Sequence, residues 1–408
     1  MSLPKPDQVI DVAIIGAGPV GLLLANFLGD QRLKVLVLEK RSGPWDHSQA
    51  IGITPPSLSI LAKLGLEDRF LEHGIKIKQV HVHGHTGHLG VCDFTKLREK
   101  NPFVLALPQR QNMAILEERL KLATDVEVLY NRNVQSIQAD GDTVKLLDSG
   151  GELLCTARYV VACDGSRSRL REQLGFSCRG GSYGNHFFMG DFPDHTDFGD
   201  EGHLFFTAFG AVESFPLPGA KRRWIVQTHE RIRHARERFL HETVERRTGI
   251  QLPDVEPEHP SGFSPRWLNS ENYSLGRVIL CGDAAHVMSP IGGQGMNTGF
   301  ADAEFLGTVL PVMLHDPDEH LFSLDAYHRL RSEAAQTATR RAAMGMGLGT
   351  WRGRTPSIVR DFLLKNILLR PVFGRHVAEW FSMTSIPNRT LDHVAQHELP
   401  PICRKARH

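Results

Sequence analysis

The stretch Val9-Ile-Asp-Val-Ala-Ile-Ile-Gly16-Ala-Gly18-Pro-Val-Gly21 decides how this chain begins to fold. A run of mostly β-branched, apolar residues ends in glycine and is followed, beyond the glycines, by the apolar stretch Val20 to Leu28. It reads as a buried strand, a tight turn and a helix. Lys34 to Glu39, "KVLVLE", supplies a second short strand, so the opening is a βαβ unit and implies a parallel sheet. In G-x-G-x-x-G, Gly16 permits the turn, Gly18 lets a pyrophosphate approach the backbone, and Gly21 allows the helix to pack closely. Pro19 and Val20 start that helix, whose N-terminus faces the phosphates. Glu39, about 20 residues on, stands where an acid accepts hydrogen bonds from an adenosine ribose, with Lys40 and Arg41 beside it. The pattern predicts dinucleotide binding and fits FAD and NAD alike.

Working outward, Ser57 to Leu64 reads as helix, 76 to 94 as strands, 109 to 122 as helix and 126 to 163 as a run of strands ending in "YVVACDG". Residues 186 to 229 are strand-like and aromatic-rich. "RVILCGD" at 277–283 resumes the parallel style, and helices follow. No repeat or linker divides the chain, so the α/β part is interrupted by insertions.

Composition narrows the partners. A chain of 408 residues can bury a large core, and a net charge of +1 with 23% charged residues excludes a generally basic nucleic-acid binder. Six cysteines without a CxxC pair argue against a zinc site or disulfide framework and for a reducing, cytoplasmic setting. No apolar run is long enough to predict a membrane span, and no signal sequence is expected. A small molecule is the expected partner.

A second glycine-rich stretch, Cys281 to Gly299, "CGDAAHVMSPIGGQGMNTG", and the segment Cys163-Asp164-Gly165-Ser166-Arg167-Ser168-Arg169 complete a specific pattern. Together with "LVLEKR", "AIGITPPSLSILAKLGL" and "LPQ", they resemble the p-hydroxybenzoate hydroxylase-like, class A FAD-dependent aromatic hydroxylases over residues 9 to 335. The resemblance implies an α/β fold. A three-layer Rossmann-like FAD domain (1–75, 104–180, 268–345) would interweave with a β-sheet substrate domain (76–103, 181–267), and C-terminal helices (346–408) would follow. It also implies that Asp283 holds a ribityl hydroxyl, and that Asp164 and Gly165 lie near the pyrophosphate with Arg167 available to anionic groups. Gln109 would lie near the flavin. The segment Pro290 to Asn297, with Gly292, Gly293, Gly295 and Met296, would pass beside the isoalloxazine ring, where a planar tricycle leaves no room for side chains. Arg171 fits a cofactor contact and a solvated helix face equally.

The implied activity is hydroxylation of an aromatic or quinoid molecule by O2 through a flavin hydroperoxide, with NADPH or NADH as transient reductant, in a monomer or homodimer. A halogenase or reductase of the same fold, dependent on a separate electron donor, is the alternative. A flavin-binding redox sensor without turnover is a third reading. No second G-x-G-x-x-G unit offers a dedicated nicotinamide domain. Gln49 stands where many relatives carry arginine, and Phe305 where they often carry asparagine, so the first departure bears on nicotinamide use.

The resemblance transfers no catalytic residue. From position, His83, His203, Phe205, Phe215 and Trp224 are expected to wall a substrate cavity, with a sheet core as the alternative. His81, His83 and His85 would share a strand face, without acidic or cysteine ligands nearby, so no metal is expected. "HERIRH", His229 to His234, has one residue too many for HExxH. Gly180 to Gly184 matches G-x-S-x-G, but no strand-to-helix turn is expected around Ser182. The apolar, basic piece 362–383 is expected to pack over the FAD domain, with a membrane-surface or partner helix as the alternative.

Overall fold

A computed structural model describes residues 8–43, 50–233, 235–290, 293–316 and 320–386. Val9–Ile15 lies at the centre of an eight-stranded sheet. Its order from one edge is Ser274–Leu275, Val278–Leu280, Leu153–Ala162, Val9–Ile15, Val35–Leu38 and Val126–Leu129, and the last five strands run parallel. The hairpin Ser136–Asp140 and Thr143–Leu147 adds antiparallel to Leu153–Ala162. Strands buried on both faces need continuous apolar runs, and Val12, Ala13, Ile14, Val37, Val160, Val161 and Ile279 are accordingly sealed in the main core. Helix Pro19–Asp30 packs on this sheet with its proline in the first turn, where a missing N–H costs nothing.

The strand order reverses at Val9–Ile15. The chain goes from it to Val35–Leu38 on one side, and later strands build on the other. In an open parallel sheet such a switch point opens a crevice beyond the carboxyl ends of the strands. Gly16, Glu39, Cys163-Asp164-Gly165 and Cys281-Gly282-Asp283 all lie at those ends.

A second, seven-stranded sheet runs Glu258–Phe263, His186–Pro193, Lys221–Thr228, Gly210–Leu217, Gly202–Thr207, Gln79–Gly84, Gly87–Asp93. All its pairs are antiparallel except Gly202–Thr207 with Gln79–Gly84. Helix Phe239–Thr248 covers one face through Phe188, Phe192, Val212, Trp224, Val226, Leu240 and Val244. The opposite face meets a small sheet of Gly52–Ile53, Val104–Ala106 and Ile75–Ile77, with Leu204, Phe206 and Phe215 joining Ala106, Ile77 and Val104 in one cluster.

The C-terminal segment departs from expectation. Leu364, Leu369, Val377, Ala378 and Phe381 join the same cluster as Val80, Val82, Leu89, Cys92 and Phe94. Most of it therefore packs against Gly87–Asp93 of the seven-stranded sheet, while its end, Met383, packs with Met288, Ala334, Ala338 and Ala342 of the expected cofactor-holding part. The cause is local: Gly90 has no side chain, and the side chain of Leu369 sits where its Cβ would be, 2.8 Å away.

Candidate active site

The three glycines of the first turn do different physical work. Gly16 has φ +108°, and a Cβ there would lie 2.4 Å from the Cys163 carbonyl oxygen. At Gly21 a Cβ would lie 2.1 Å from the Gly16 carbonyl oxygen, so the third glycine is fixed by the turn itself. Around Gly18 a Cβ would meet no heavy atom within 4 Å. Its backbone faces open space at the start of the helix, which suits a ligand phosphate.

Glu39 is buried at the end of its strand. Its Oε2 accepts from the Ala17 amide at 2.9 Å and from Arg41 Nη2 at 2.8 Å; its Oε1 accepts from the Arg41 amide at 3.0 Å and Nε at 2.8 Å. Burial raises its pKa, but the Arg41 and Ala17 hydrogen bonds outweigh it and hold the carboxyl below its usual range. Glu39 is thus a preformed carboxylate tied to the glycine turn. Lys40 is exposed beside it.

On the neighbouring strand end, Asp164 Oδ2 accepts from the Arg169 amide at 3.0 Å, while its Oδ1 is buried without a partner among the described residues. Burial raises its pKa against the hydrogen bonds from Ser168 and the local backbone. Gly165 turns with φ +84°, and Arg167 is exposed on the turn. The structure decides the open question about Arg171. It is buried and donates to the Ala284 carbonyl at 2.9 Å and the Ser166 carbonyl at 3.2 Å, clamping the two acidic turns together.

Asp283 is solvent-exposed yet crowded by protein, as a group facing a cleft would be. That crowding raises its pKa, and His286, Arg266 and Arg171 only partly counter it. Behind it lies a network that no sequence motif announces. Asp302, fully buried, accepts from the Gly282 amide at 3.1 Å and from Arg331 Nε at 2.7 Å, and lies 2.6 Å from His286 Nε2. Burial opposes its ionisation, but His286 and Arg331 prevail and hold it below the ordinary range. The anchor was hidden because its partners are 16 and 29 residues away.

Gly293, at φ +65°, precedes helix Gln294–His315, and its amide donates to the Pro290 carbonyl at 2.9 Å. Asn297 Nδ2 donates to the Gly52 carbonyl at 2.9 Å, and its Oδ1 accepts from the Thr54 amide at 3.0 Å. Met296 is half-buried and touches Asn112 Nδ2 through its sulfur at 3.5 Å. A Cβ on Gly295 would approach Asp283 Oδ1 at 3.8 Å. Both polar atoms of the Gln294 amide are buried without partners among the described residues. Gln109 Oε1 accepts from the Ala50 amide at 3.5 Å, and the expected position Gln49 lies outside the described residues, as does Gly292.

Strand pairing separates the residues proposed to wall a substrate cavity. His203 pairs with His81 and Ser214, Phe205 with His83 and Val212, and Ser214 with Trp224. Directly paired residues share a face, so His83, His203, Phe205 and Trp224 all lie on the side covered by helix Phe239–Thr248. Trp224 is 1% exposed and packed in that helix's cluster, which makes it sheet core. Phe215 alone lies on the opposite face. The histidines stack rather than converge: His203 lies 3.6 Å from Phe198 between ring centroids, and His83 Nε2 lies 3.1 Å from His203 Nδ1. Among the described residues no group of three His, Cys, Asp or Glu side chains is placed to hold a metal ion. Ser182 ends a strand that pairs with Arg266–Ser270, and another strand follows it, so it has no nucleophile-elbow geometry. His234 lies outside the described residues.

Residues present therefore fit a dinucleotide carrying a flavin. The open glycine cradle, Asp164 with its orphaned oxygen and the exposed Asp283 follow the carboxyl ends of parallel strands, and Gln294, with an orphaned amide, begins the helix after the last of them. Comparison with known proteins agrees. Residues 9–342 match the family model described as FAD binding domain. The chain is 33% identical over 342 residues to rifampicin monooxygenase of Streptomyces venezuelae, covering 80% of this chain and 69% of that one. It is 28% identical to a 3-(3-hydroxy-phenyl)propionate/3-hydroxycinnamic acid hydroxylase of Mycolicibacterium smegmatis, covering 91% and 66%. The chain thus spans about two thirds of the length of these relatives. The crystal structure of p-nitrophenol 4-monooxygenase PnpA from Pseudomonas putida DLL-E4 superposes with a TM-score of 0.83 at 24% identity, covering 92% of this chain and 98% of that one. The halogenase alternative finds no support in these relatives. The chain belongs to the FAD binding domain family, among the FAD-dependent flavoprotein aromatic hydroxylases whose fold and glycine signatures it carries.

Proposed function

We propose that this chain is an FAD-dependent monooxygenase that hydroxylates an aromatic or quinoid small molecule, with NADPH or NADH as electron donor. The observation that carries the reading is the glycine-lined crevice at the carboxyl ends of the parallel strands, joined through Gly52–Ile53 and Val104–Ala106 to one face of the seven-stranded sheet. The monooxygenase and hydroxylase names of the relatives support it.

Gly16, Gly18, Pro19, Val20 and Gly21 would receive the pyrophosphate, Glu39 the ribose, with Lys40 and Arg41 beside it, and Asp164, Gly165 and Arg167 the second side of the phosphates. Asp283 would hold the ribityl chain, and Gln109, Pro290, Gly293, Gly295, Met296 and Asn297 would border the ring. When bound, FAD supplies the two-electron and oxygen chemistry that no side chain can perform. The chain's own work is to fix the cofactor, hold the substrate against it and exclude water. Residues 1–75, 104–180 and 268–345 form the cofactor-holding part in this reading, 76–103 and 181–267 the substrate part, and 346–408 the C-terminal helices. Five described cysteines are unpaired, and no described helix is long and apolar enough to cross a membrane; the first observation supports a cytoplasmic setting.

The test is anaerobic stopped-flow reduction of the FAD-loaded protein by NADPH and NADH, with and without phenols, quinones and polycyclic aromatics. Reduction accelerated by one ligand class is expected. Failure of both nucleotides under every condition sinks the reading of direct nicotinamide use.

A further inference from the structure

Glu213 stands on the strand Gly210–Leu217 with a role that no motif predicts. It pairs directly with Leu204 on one side and Ile225 on the other, and Ile225 pairs with Met189. These residues share the sheet face opposite Trp224, the face whose Leu204 and Phe215 pack with Val104 and Ala106. Val104–Ala106 pairs with Gly52–Ile53, and the Gly52 carbonyl accepts from Asn297 beside the glycine turn at the flavin position. A carboxyl group therefore looks out from an apolar wall toward the place where a substrate would meet the cofactor.

No hydrogen bond or ion pair engages Glu213 among the described residues, although it is enclosed by protein and still partly accessible to solvent. Charged groups on the surrounding elements are occupied or remote. Arg223 on the adjacent strand is locked bidentate to Asp191, Arg247 donates to the Ala211 and Gln227 carbonyls, and Arg360 near Phe206 pairs with Asp361. Lys76 on Ile75–Ile77 is exposed over Phe103, and the histidines lie on the other face. A carboxyl enclosed by apolar protein surface without a partner is costly to retain, where the same position would accept an aliphatic residue. Burial alone pushes the group up to about 7, where it can exchange a proton with a ligand at neutral pH.

Resting on the hydroxylase reading, we propose that Glu213 is the proton-accepting group of the substrate cavity, taking the hydroxyl proton of a phenolic substrate so that the ring becomes electron-rich. The step is a plain proton transfer: the phenol O–H breaks, the carboxylate gains the proton, and no oxidant takes part. Glu213 would touch the substrate hydroxyl, which makes it a candidate catalytic residue.

The experiment uses the full-length, FAD-loaded wild type, Glu213→Gln and Glu213→Asp. Infrared difference spectra from pH 5 to 9 are recorded with and without p-nitrophenol, phenol and 2-naphthol. A protonated-carboxyl band that titrates near pH 7, disappears in Glu213→Gln and is perturbed by at least one phenol is expected. In parallel, phenol-stimulated NADPH and NADH oxidation should rise through pH 7 in wild type, lose that limb in Glu213→Gln with at least a tenfold fall in kcat, and regain part of it in Glu213→Asp. No titrating band assignable to Glu213, or a band that no phenol moves, overturns the proposal, as does a Gln variant with the wild-type pH profile. If no phenol stimulates nicotinamide oxidation in wild type, the hydroxylase reading fails on its own, and the infrared response to phenols still decides for or against Glu213.

Discussion

At the scale of single residues, two glycines that look equivalent in sequence have opposite surroundings. A methyl on Gly21 would run into the Gly16 carbonyl, which is backbone and cannot rotate away, whereas a methyl on Gly18 meets no protein atom. Gly21→Ala is expected to destabilise the apoprotein and abolish cofactor retention. Gly18→Ala should keep the apoprotein melting temperature and weaken FAD by tenfold or more, about 1.4 kcal/mol. Differential scanning calorimetry with a flavin fluorescence titration separates the two. Asp302 is the second residue-scale case. Removing its charge leaves Arg331 and His286 without their partner in a sealed site, where breaking a buried pair costs roughly 3–5 kcal/mol. Its folded pKa lies below the unfolded value of about 3.9. The stabilisation is therefore complete above about pH 4 and is lost as pH falls through the folded value. Urea melts of wild type and Asp302→Asn at pH 3 to 7 should show the gap closing only at the acid end.

The behaviour of elements follows from which face each strand offers. Trp224 and Phe215 are nine residues apart on neighbouring strands, and pairing places them on opposite sides. Trp224→Ala should cost roughly 3–5 kcal/mol by emptying the core under helix Phe239–Thr248. Phe215→Ala should cost less stability and instead change KM for the substrate; chemical denaturation and steady-state kinetics on both variants test the contrast. The stacked histidines give the same sheet a pH signature. Burial, then neighbouring histidines, depress His83 to about 4 and His203 to about 3. Their unfolded value is about 6.5. Their neutral, stacked state therefore stabilises fully above about pH 6.5 and yields progressively as pH falls toward 3 to 4. His203→Phe, which keeps a ring beside Phe198, should flatten that decline in thermal melts between pH 7 and 4.

Across the whole molecule, the C-terminal helices and the seven-stranded sheet share one apolar cluster, so neither is complete alone. Truncation after Thr350 would uncover Val80, Val82, Leu89 and Phe94 while leaving the parallel sheet covered by its own helices. Such a chain is expected to aggregate or bind a hydrophobic dye strongly, with Gln79–Asp93 the first region to gain amide exchange. Unchanged exchange there would mean the segment is an ornament. Arg171 acts at this scale too, since it bridges one turn 5 residues away and another 113 residues away that meet at the strand ends.

How much of this could be read beforehand depends on how local the cause is. The turn at Gly16–Gly21, Glu39 at its strand end and the helix that begins at Gln294 are legible because steric demands and helix-end electrostatics act within a few contiguous residues. Phe215, Trp224 and the histidines were named as one wall, yet a strand's two faces differ only in what covers them. Nothing in 202–228 announces that helix Phe239–Thr248 lies on one side and Val104–Ala106 on the other. Asp302 with His286 and Arg331, Arg171 as a clamp, and Glu213 as an unpartnered carboxyl were likewise invisible. Each owes its character to residues brought from elsewhere in the chain. Sequence by itself determined the βαβ opening and its dinucleotide-binding pattern, because these rest on local spacing, and its resemblance to a known family pointed to FAD. Tertiary structure alone decided which side chains share each sheet face and which charges are matched, because burial and pairing are set by long-range strand register.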